Sequence, residues 1–246
     1  MNPYGLPEQR KPELVPDFLS RLVPLPNDIA VFDADGTLWT DDVADDFTKW
    51  MIANRHISGE RWDEYLRIYR DDAPTGCQYL LSLYSGMTER ALHEKIAYYW
   101  TEDANRNWIP EVVESLYALA DVGFPIWVVS GSPTEFLQPL LQMLPVARIL
   151  GMDFEFGSDH KVTGKHTGIS CAGLGKAEKL KALGEGLNVR VCAGNGSLDG
   201  AMMELAEVAW SVFPNPEFEA YSRGRGWPVM PRPDWFVEET KFVVEE

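Results

Sequence analysis

Asp33 and Asp35 stand two residues apart at the end of an apolar run, Ile29-Ala30-Val31-Phe32. Two carboxylates held beside a metal can divide labour, one as nucleophile and the other as general acid and base. Asp33 would attack phosphorus to form an aspartyl-phosphate. Asp35 would protonate the leaving oxygen, then activate the water that hydrolyses the intermediate. Gly36 permits a tight turn, and Thr37 offers a hydroxyl and an N–H to phosphoryl oxygens. The plain alternative is a solvated Asp-Gly turn closing a strand.

Three further clusters have chemistry that would complement this pair. In Ser130-Gly131-Ser132-Pro133, the Ser130 hydroxyl and the Gly131 N–H can hold a phosphoryl oxygen at a helix N-terminus, with Pro133 in the first helical turn. Read alone, this is an ordinary helix cap. Lys176, after Gly173-Leu174-Gly175, carries an ammonium that can bind phosphate and hold two anions together. A lone lysine is otherwise a surface residue. In Gly194-Asn195-Gly196-Ser197-Leu198-Asp199, Asn195 and Asp199 offer the oxygen ligands that magnesium prefers, completing a site with Asp33, unless the loop only caps a helix.

These clusters matter together because of the elements that must carry them. The continuous apolar run at 29–32 and the strand-like stretches at 125–129, 189–193 and 208–212 read as parallel strands, and ligands of open α/β sheets bind beyond the carboxyl ends of such strands. Helices are expected from Pro133 to Leu144, at 176–182 and at 197–206. Short strands or a hairpin are expected at 149–156 and 161–169. Strands alternating with helices predict an α/β fold, a parallel sheet with helices on both faces. Between the first two strands, residues 42–119 show helical spacing and many aromatics, with breaks near 56–59, 73–76 and 85–88, so four or five inserted helices are predicted. Residues 1–28 hold six prolines and read as an extended arm packed along the surface, with a short helix near 17–23. The organisation is then an arm at 1–28, a core at 29–41 and 120–246, and a helical insertion at 42–119.

Composition narrows the partners. The apolar fraction of 45% allows a real core. A net charge of −16 argues against nucleic acid, and it means an anionic substrate must be recruited locally by a metal, a lysine and backbone N–H groups. Cys77, Cys171 and Cys192 are widely spaced, which suits reduced thiols in a cytoplasmic protein. No run is long enough for a membrane span and no leader pattern opens the chain, so neither is expected.

In order and spacing, the clusters resemble the haloacid dehalogenase (HAD) superfamily. Asp33-Ala34-Asp35-Gly36-Thr37-Leu38 looks like its first motif, DxDGT[LV]; Ser130 looks like its second, Lys176 its third, and Gly194-Asn195 through Asp199 its fourth, GDxxxD. The likeness covers residues 29–225. The helical insertion resembles the C1 cap of the phosphoserine phosphatase-like branch, as do residues 212–228 its C-terminal segment. The resemblance implies a Rossmann-like core and a Mg2+-dependent phosphatase acting on a small phosphorylated metabolite. Asp33 would be nucleophile and metal ligand, and Asp35 acid/base with its carbonyl on the metal. Thr37, Ser130, Gly131 and Lys176 would meet the phosphoryl group, with Asn195 and Asp199 on the metal. Asp35 favours phosphoryl transfer over dehalogenation. Asn195 departs from the commoner aspartate and removes one charge.

Asp42, nine residues after Asp33, matches the position that meets a substrate amine in phosphoserine phosphatases. This suggests phosphoserine, phosphoethanolamine or phosphocholine, with Arg67 or Arg70 available to a carboxylate. Trp39, Tyr65, Tyr69, Tyr79, Tyr98, Tyr99 and Trp100 can wall a quaternary ammonium or, more plainly, form the core of the cap. His56, His93, His160 and His166 have no metal-ligand spacing. A phosphotransferase using the same intermediate, or a phospho-ligand-binding module without turnover, remain alternatives. The cap is expected to open and close about 39–42 and 123–125.

Overall fold

The run that leads to Asp33 forms β1 (Asp28–Phe32), buried at every position as a strand flanked on both faces must be. The protein was analysed as a computed structural model that describes residues 5–7, 9–102, 106–184, 186–234 and 236. Ahead of β1, the arm makes a 3-10 turn at Pro12–Leu14 and a helix α1 (Asp17–Ser20), shorter than expected before Pro24 and Pro26. Leu6 and Leu19 are buried, and Arg10 Nε donates to Glu114 at 2.8 Å, so the arm packs along the surface.

Five helices follow: α2 (Val43–Ala53), α3 (Trp62–Asp71), α4 (Ala73–Ser82), α5 (Glu89–Glu102) and α6 (Pro110–Asp121). The break expected at 73–76 falls instead at Asp72, because Pro74 is tolerated in the first turn of α4. Then come β2 (Ile126–Pro133), α7 (Thr134–Leu141), β3 (Val146–Met152), an antiparallel pair β4 (Phe154–Phe156) and β5 (Val162–His166), and α8 (Leu174–Lys181). The chain continues through β6 (Asn188–Gly194), α9 (Gly200–Met203), β7 (Val208–Val212), α10 (Pro216–Gly224) and β8 (Val229–Met230).

The main sheet has six strands in the order β3-β2-β1-β6-β7-β8, all pairs parallel. This is the α/β architecture expected, with β1 between β2 and β6. Three details differ from expectation. The second strand runs on through Ser130-Gly131-Ser132 to Pro133, which pairs with Met152, so the helix begins only at Thr134. The stretch read at 149–156 divides, its first half being the edge strand β3. The helix expected at 197–206 is a single turn, because Ser197 and Leu198 belong to a loop folded around Asp199.

Two crossings join the helical block to the sheet, and they lie side by side. Thr40 N–H donates to Asn107 O at 3.0 Å and Ile109 N–H to Leu38 O at 2.9 Å, while Trp39 meets Trp108 edge-on with centroids 5.1 Å apart. The return is therefore at 106–109. Residues 123–125 instead form the turn from α6 into β2. The block is also fastened away from the crossings. Phe47 and Tyr84 pack on Phe136 of α7 at 4.6 and 5.6 Å, Tyr84 reaches Phe154 at 5.6 Å, and all four rings are buried. Backbone bonds tie the loop before α5 to the β4–β5 pair, from Gly86 N–H to Val162 O and from Glu89 N–H to His160 O, both 2.9 Å.

Candidate functional site

The carboxyl ends of β1, β2 and β6 meet at one place, and the motifs predicted from sequence lie there. Asp33 is drawn onto β6 by its N–H, which donates to Ala193 O at 2.9 Å. Gly36, at φ +76°, turns the chain, and Thr37 and Leu38 N–H groups close onto Ala34 O. This sends the Thr37 hydroxyl back to Asp33 Oδ2 at 3.0 Å. Lys176, in the first turn of α8, donates to Asp33 Oδ1 at 2.7 Å and to Asp199 Oδ1 at 2.6 Å. All three charged groups are at most 4% exposed.

Asp199 works in two directions. Its Oδ2 accepts the N–H groups of Asn195 and Gly196 at 3.0 and 3.1 Å, which shapes the loop that follows β6. Asn195 is thereby set against Gly36, where a Cβ would fall 2.8 Å from the Asn195 Cγ. Gly36 and Gly194 are required by these approaches, for a Cβ on Gly194 would meet the Asp199 side chain at 2.6 Å.

Asp35 faces the helical block. Its Oδ1 accepts from Trp39 Nε1 and from Val43 N–H, both at 2.9 Å, and its Oδ2 from Ser132 Oγ at 2.6 Å and more weakly from Ser130 Oγ at 3.4 Å. Ser130 also accepts the Ser132 N–H at 3.1 Å. Because the helix starts at Thr134, Ser130 and Gly131 sit on a strand end and not at a helix N-terminus. Sequence reasoning missed that Ser132 and Trp39, the latter read only as an aromatic-wall and hinge residue, donate to Asp35. Alternation along a strand puts residues i and i+2 on one face, so Ser130 and Ser132 were the available signal.

The electrostatics follow from burial. Burial, with the nearby Asp199, pushes Asp33 up to about 7 against the pull of Lys176. Burial, with Asp42, raises Asp35 to about 6 despite its hydrogen bonds. Burial lowers Lys176, but the Asp199 and Asp33 carboxylates outweigh it and hold the ammonium protonated. Four carboxylates (Asp33, Asp35, Asp42 and Asp199) thus act on one another around a single lysine. That surplus of carboxylates, two buried and two half-buried, with oxygen donors only, fits a hard divalent cation. Among the described residues no group of three His, Cys, Asp or Glu side chains makes a metal site by itself. The donors at hand are mixed, carboxylate, amide and backbone.

The remaining predicted residues have other placements. Asp42 caps α2, its Oδ1 accepting the Asp45 N–H at 2.9 Å. Arg67 pairs with Asp71 on the surface at 3.7 Å, and Arg70 is exposed on the same helix. Trp39, Tyr65, Tyr99 and Trp100 are buried among the helices, whereas Tyr98 is exposed. The cysteines are free. No helix among the described residues is long and apolar enough to cross a membrane.

This fold and this constellation define a HAD-type hydrolase, and the chain belongs to the haloacid dehalogenase-like hydrolase family, whose model matches residues 30–204. It is similar to a histidinol-phosphatase of Neisseria meningitidis, 22% identical over 82% of this chain and 97% of that one. Among solved structures, it shares its fold with a Bordetella pertussis protein of unknown function (TM-score 0.74, 17% identity, 84% and 99% of the two chains). The same holds for a probable phosphoserine phosphatase of Vibrio cholerae (TM-score 0.59, 22% identity, 86% and 62%).

Proposed function

We propose that the protein is a Mg2+-dependent phosphatase of small phosphomonoesters, working through an aspartyl-phosphate on Asp33. The observation that carries this reading is the division between the two carboxylates. Asp33 is held by Lys176 and Thr37, whereas Asp35 is turned to the other side, onto the Trp39 indole, the Val43 N–H and the Ser132 hydroxyl. An Asp33 oxygen attacks phosphorus as the ester P–O bond breaks, and Asp35 gives its proton to the departing oxygen. Water then attacks the phosphoenzyme, Asp35 takes the water's proton, and the bond from phosphorus to Asp33 breaks, releasing phosphate. Thr37, Lys176, Ser130 and the Gly131 N–H would hold the phosphoryl oxygens.

Asp33, Asn195 and the Asp35 carbonyl would hold the magnesium, which supplies charge neutralisation at the phosphoryl group. Asp199 would act at the same site through its charge and through the loop and lysine it orders, since its two oxygens already accept three hydrogen bonds.

Within this class the site favours a substrate that carries an amine. The carboxylates outnumber the lysine, and Asp42 is near enough to Asp35 to raise it. Phosphoserine, phosphoethanolamine, phosphocholine and related amino-alcohol phosphates are therefore the substrates to examine first. The name of the Neisseria relative points the same way, to a phosphorylated amino alcohol.

The test is phosphate release from p-nitrophenyl phosphate and a panel of these esters, with magnesium and with chelator. Release that needs both metal and Asp33, lost in Asp33→Asn by at least about 1,000-fold, is the expected result. Turnover that survives in Asp33→Asn would remove the phosphoenzyme from the mechanism. Product formed only with an added acceptor would indicate a phosphotransferase.

A further inference from the structure

Asp35 takes its orientation from the first crossing between sheet and helices. Both donors to its Oδ1, the Trp39 indole and the Val43 N–H, belong to that segment. The segment in turn is gripped by the second crossing, and the grip centres on one buried cation. Arg106 is 4% exposed at its side chain. Its Nη1 lies 3.1 Å from Asp46 Oδ2 on α2 and 3.6 Å from Asp41 Oδ2 on the first crossing. Its Nη2 donates to the Tyr99 hydroxyl on α5 at 2.5 Å, and its plane lies over Trp100 at 4.9 Å. Asp41 is also held by Asn107, from the backbone N–H at 3.2 Å and from Nδ2 at 2.9 Å.

A guanidinium taken out of water destabilises a fold unless it is paired on several sides. Here the planar fork reaches both crossings and two helices at once, which an ammonium on a single stem does not do. We infer that Arg106 is a positioning residue for Asp35: through Asp41 and Asp46 it fixes the segment 39–43 whose indole and N–H aim the carboxylate at the leaving oxygen. The inference rests on the reading of Asp35 as general acid.

The two esters that test it are nearly equal in size and differ in what their leaving groups require. Phenolate, with an affinity for protons like that of tyrosine, about 10, needs a proton as it departs. Nitrophenolate is stabilised by its nitro group and leaves without one. The ratio kcat/KM covers the steps through phosphoenzyme formation, where the proton is given. In Arg106→Gln and in Asp41→Asn, kcat/KM for phenyl phosphate should fall at least about 10-fold, and that for p-nitrophenyl phosphate by about twofold or less. Arg106→Lys should fall between wild type and Arg106→Gln. Equal losses on both esters, or no loss on either, would overturn the assignment and leave Arg106 a structural residue. Asp41→Asn retains the buried Arg106–Asp46 pair, so it reports even if Arg106→Gln fails to fold. If the wild-type protein with magnesium hydrolyses neither ester, the phosphatase reading falls, and this inference falls with it.

Discussion

Gly36 and Asn195 lie in direct contact across the mouth of the site, with room for no atom between the glycine and the amide. Gly36→Ala would have to displace the amide and also place a side chain at φ +76°. We expect it to destabilise the fold by about 1–3 kcal/mol and to lower phosphatase turnover at least about 10-fold. Chemical denaturation and phosphate release measured on the same sample check both parts. Wild-type turnover in Gly36→Ala would mean that Asn195 can move without consequence.

The amide at 195 carries no charge where a carboxylate would strengthen a metal site. Asn195→Asp should lower the magnesium concentration for half-maximal activity by roughly 3–10-fold. Without metal the new carboxylate joins an already crowded set, so the variant should also melt lower in chelator than wild type. Phosphate release measured across a magnesium titration gives the first and a thermal scan the second. An unchanged magnesium requirement would argue against Asn195 as a ligand.

Ser132 is buried and donates to Asp35 at 2.6 Å. Removing that donor withdraws a contact that favours the carboxylate form, so Asp35 should rise further above 6 in Ser132→Ala. Turnover should drop about 5–10-fold, with the larger loss at the water-activation step, which needs the ionised form. Rapid-quench measurement should then find more phosphoenzyme at steady state than in wild type.

Glu135, in the first turn of α7, is held up to about 7 by burial, with Asp153 and Glu89 adding to it. Its Oε2 is buried with no hydrogen-bond partner. Below about pH 4.5 the folded and unfolded forms are both protonated, and the group has no effect. As pH rises toward 7 the unfolded chain loses the proton first, so the folded state loses stability. Glu135→Gln should therefore raise Tm at pH 8 by about 2–4 °C, corresponding to on the order of 1 kcal/mol, and leave it nearly unchanged at pH 4.5. Thermal scans at the two pH values decide it.

What could be read from the sequence followed physical periodicity. The strand Ile29-Ala30-Val31-Phe32 was legible because a buried parallel strand is apolar throughout, and Val208–Val212 because only Ser211 interrupts its apolar run. The polar clusters at strand ends were legible because each interrupts such a run. The end of β2 was misread, since Ser130-Gly131-Ser132-Pro133 has the composition of a turn and becomes strand only by pairing with β3. The second crossing was missed for a related reason. Asn107 and Pro110 mark a turn in the sequence, but nothing local tells that it lies beside Trp39, which comes from pairing across some seventy residues of chain. The Arg106 grip was equally invisible, because a single arginine in sequence says nothing of the carboxylates it meets in space.

The aromatic cluster that joins Phe47 and Tyr84 to Phe136 and Phe154 makes the helical block and the sheet parts of one interior. Swinging the block away as a rigid lid would wet rings that each cover some 150–250 Å², about several kcal/mol in total. A rigid swing of the whole block is thus disfavoured as the route by which substrate enters. The same continuity makes the two parts melt together: calorimetry should record one transition, and excising residues 42–107 should leave a sheet that cannot stand without them.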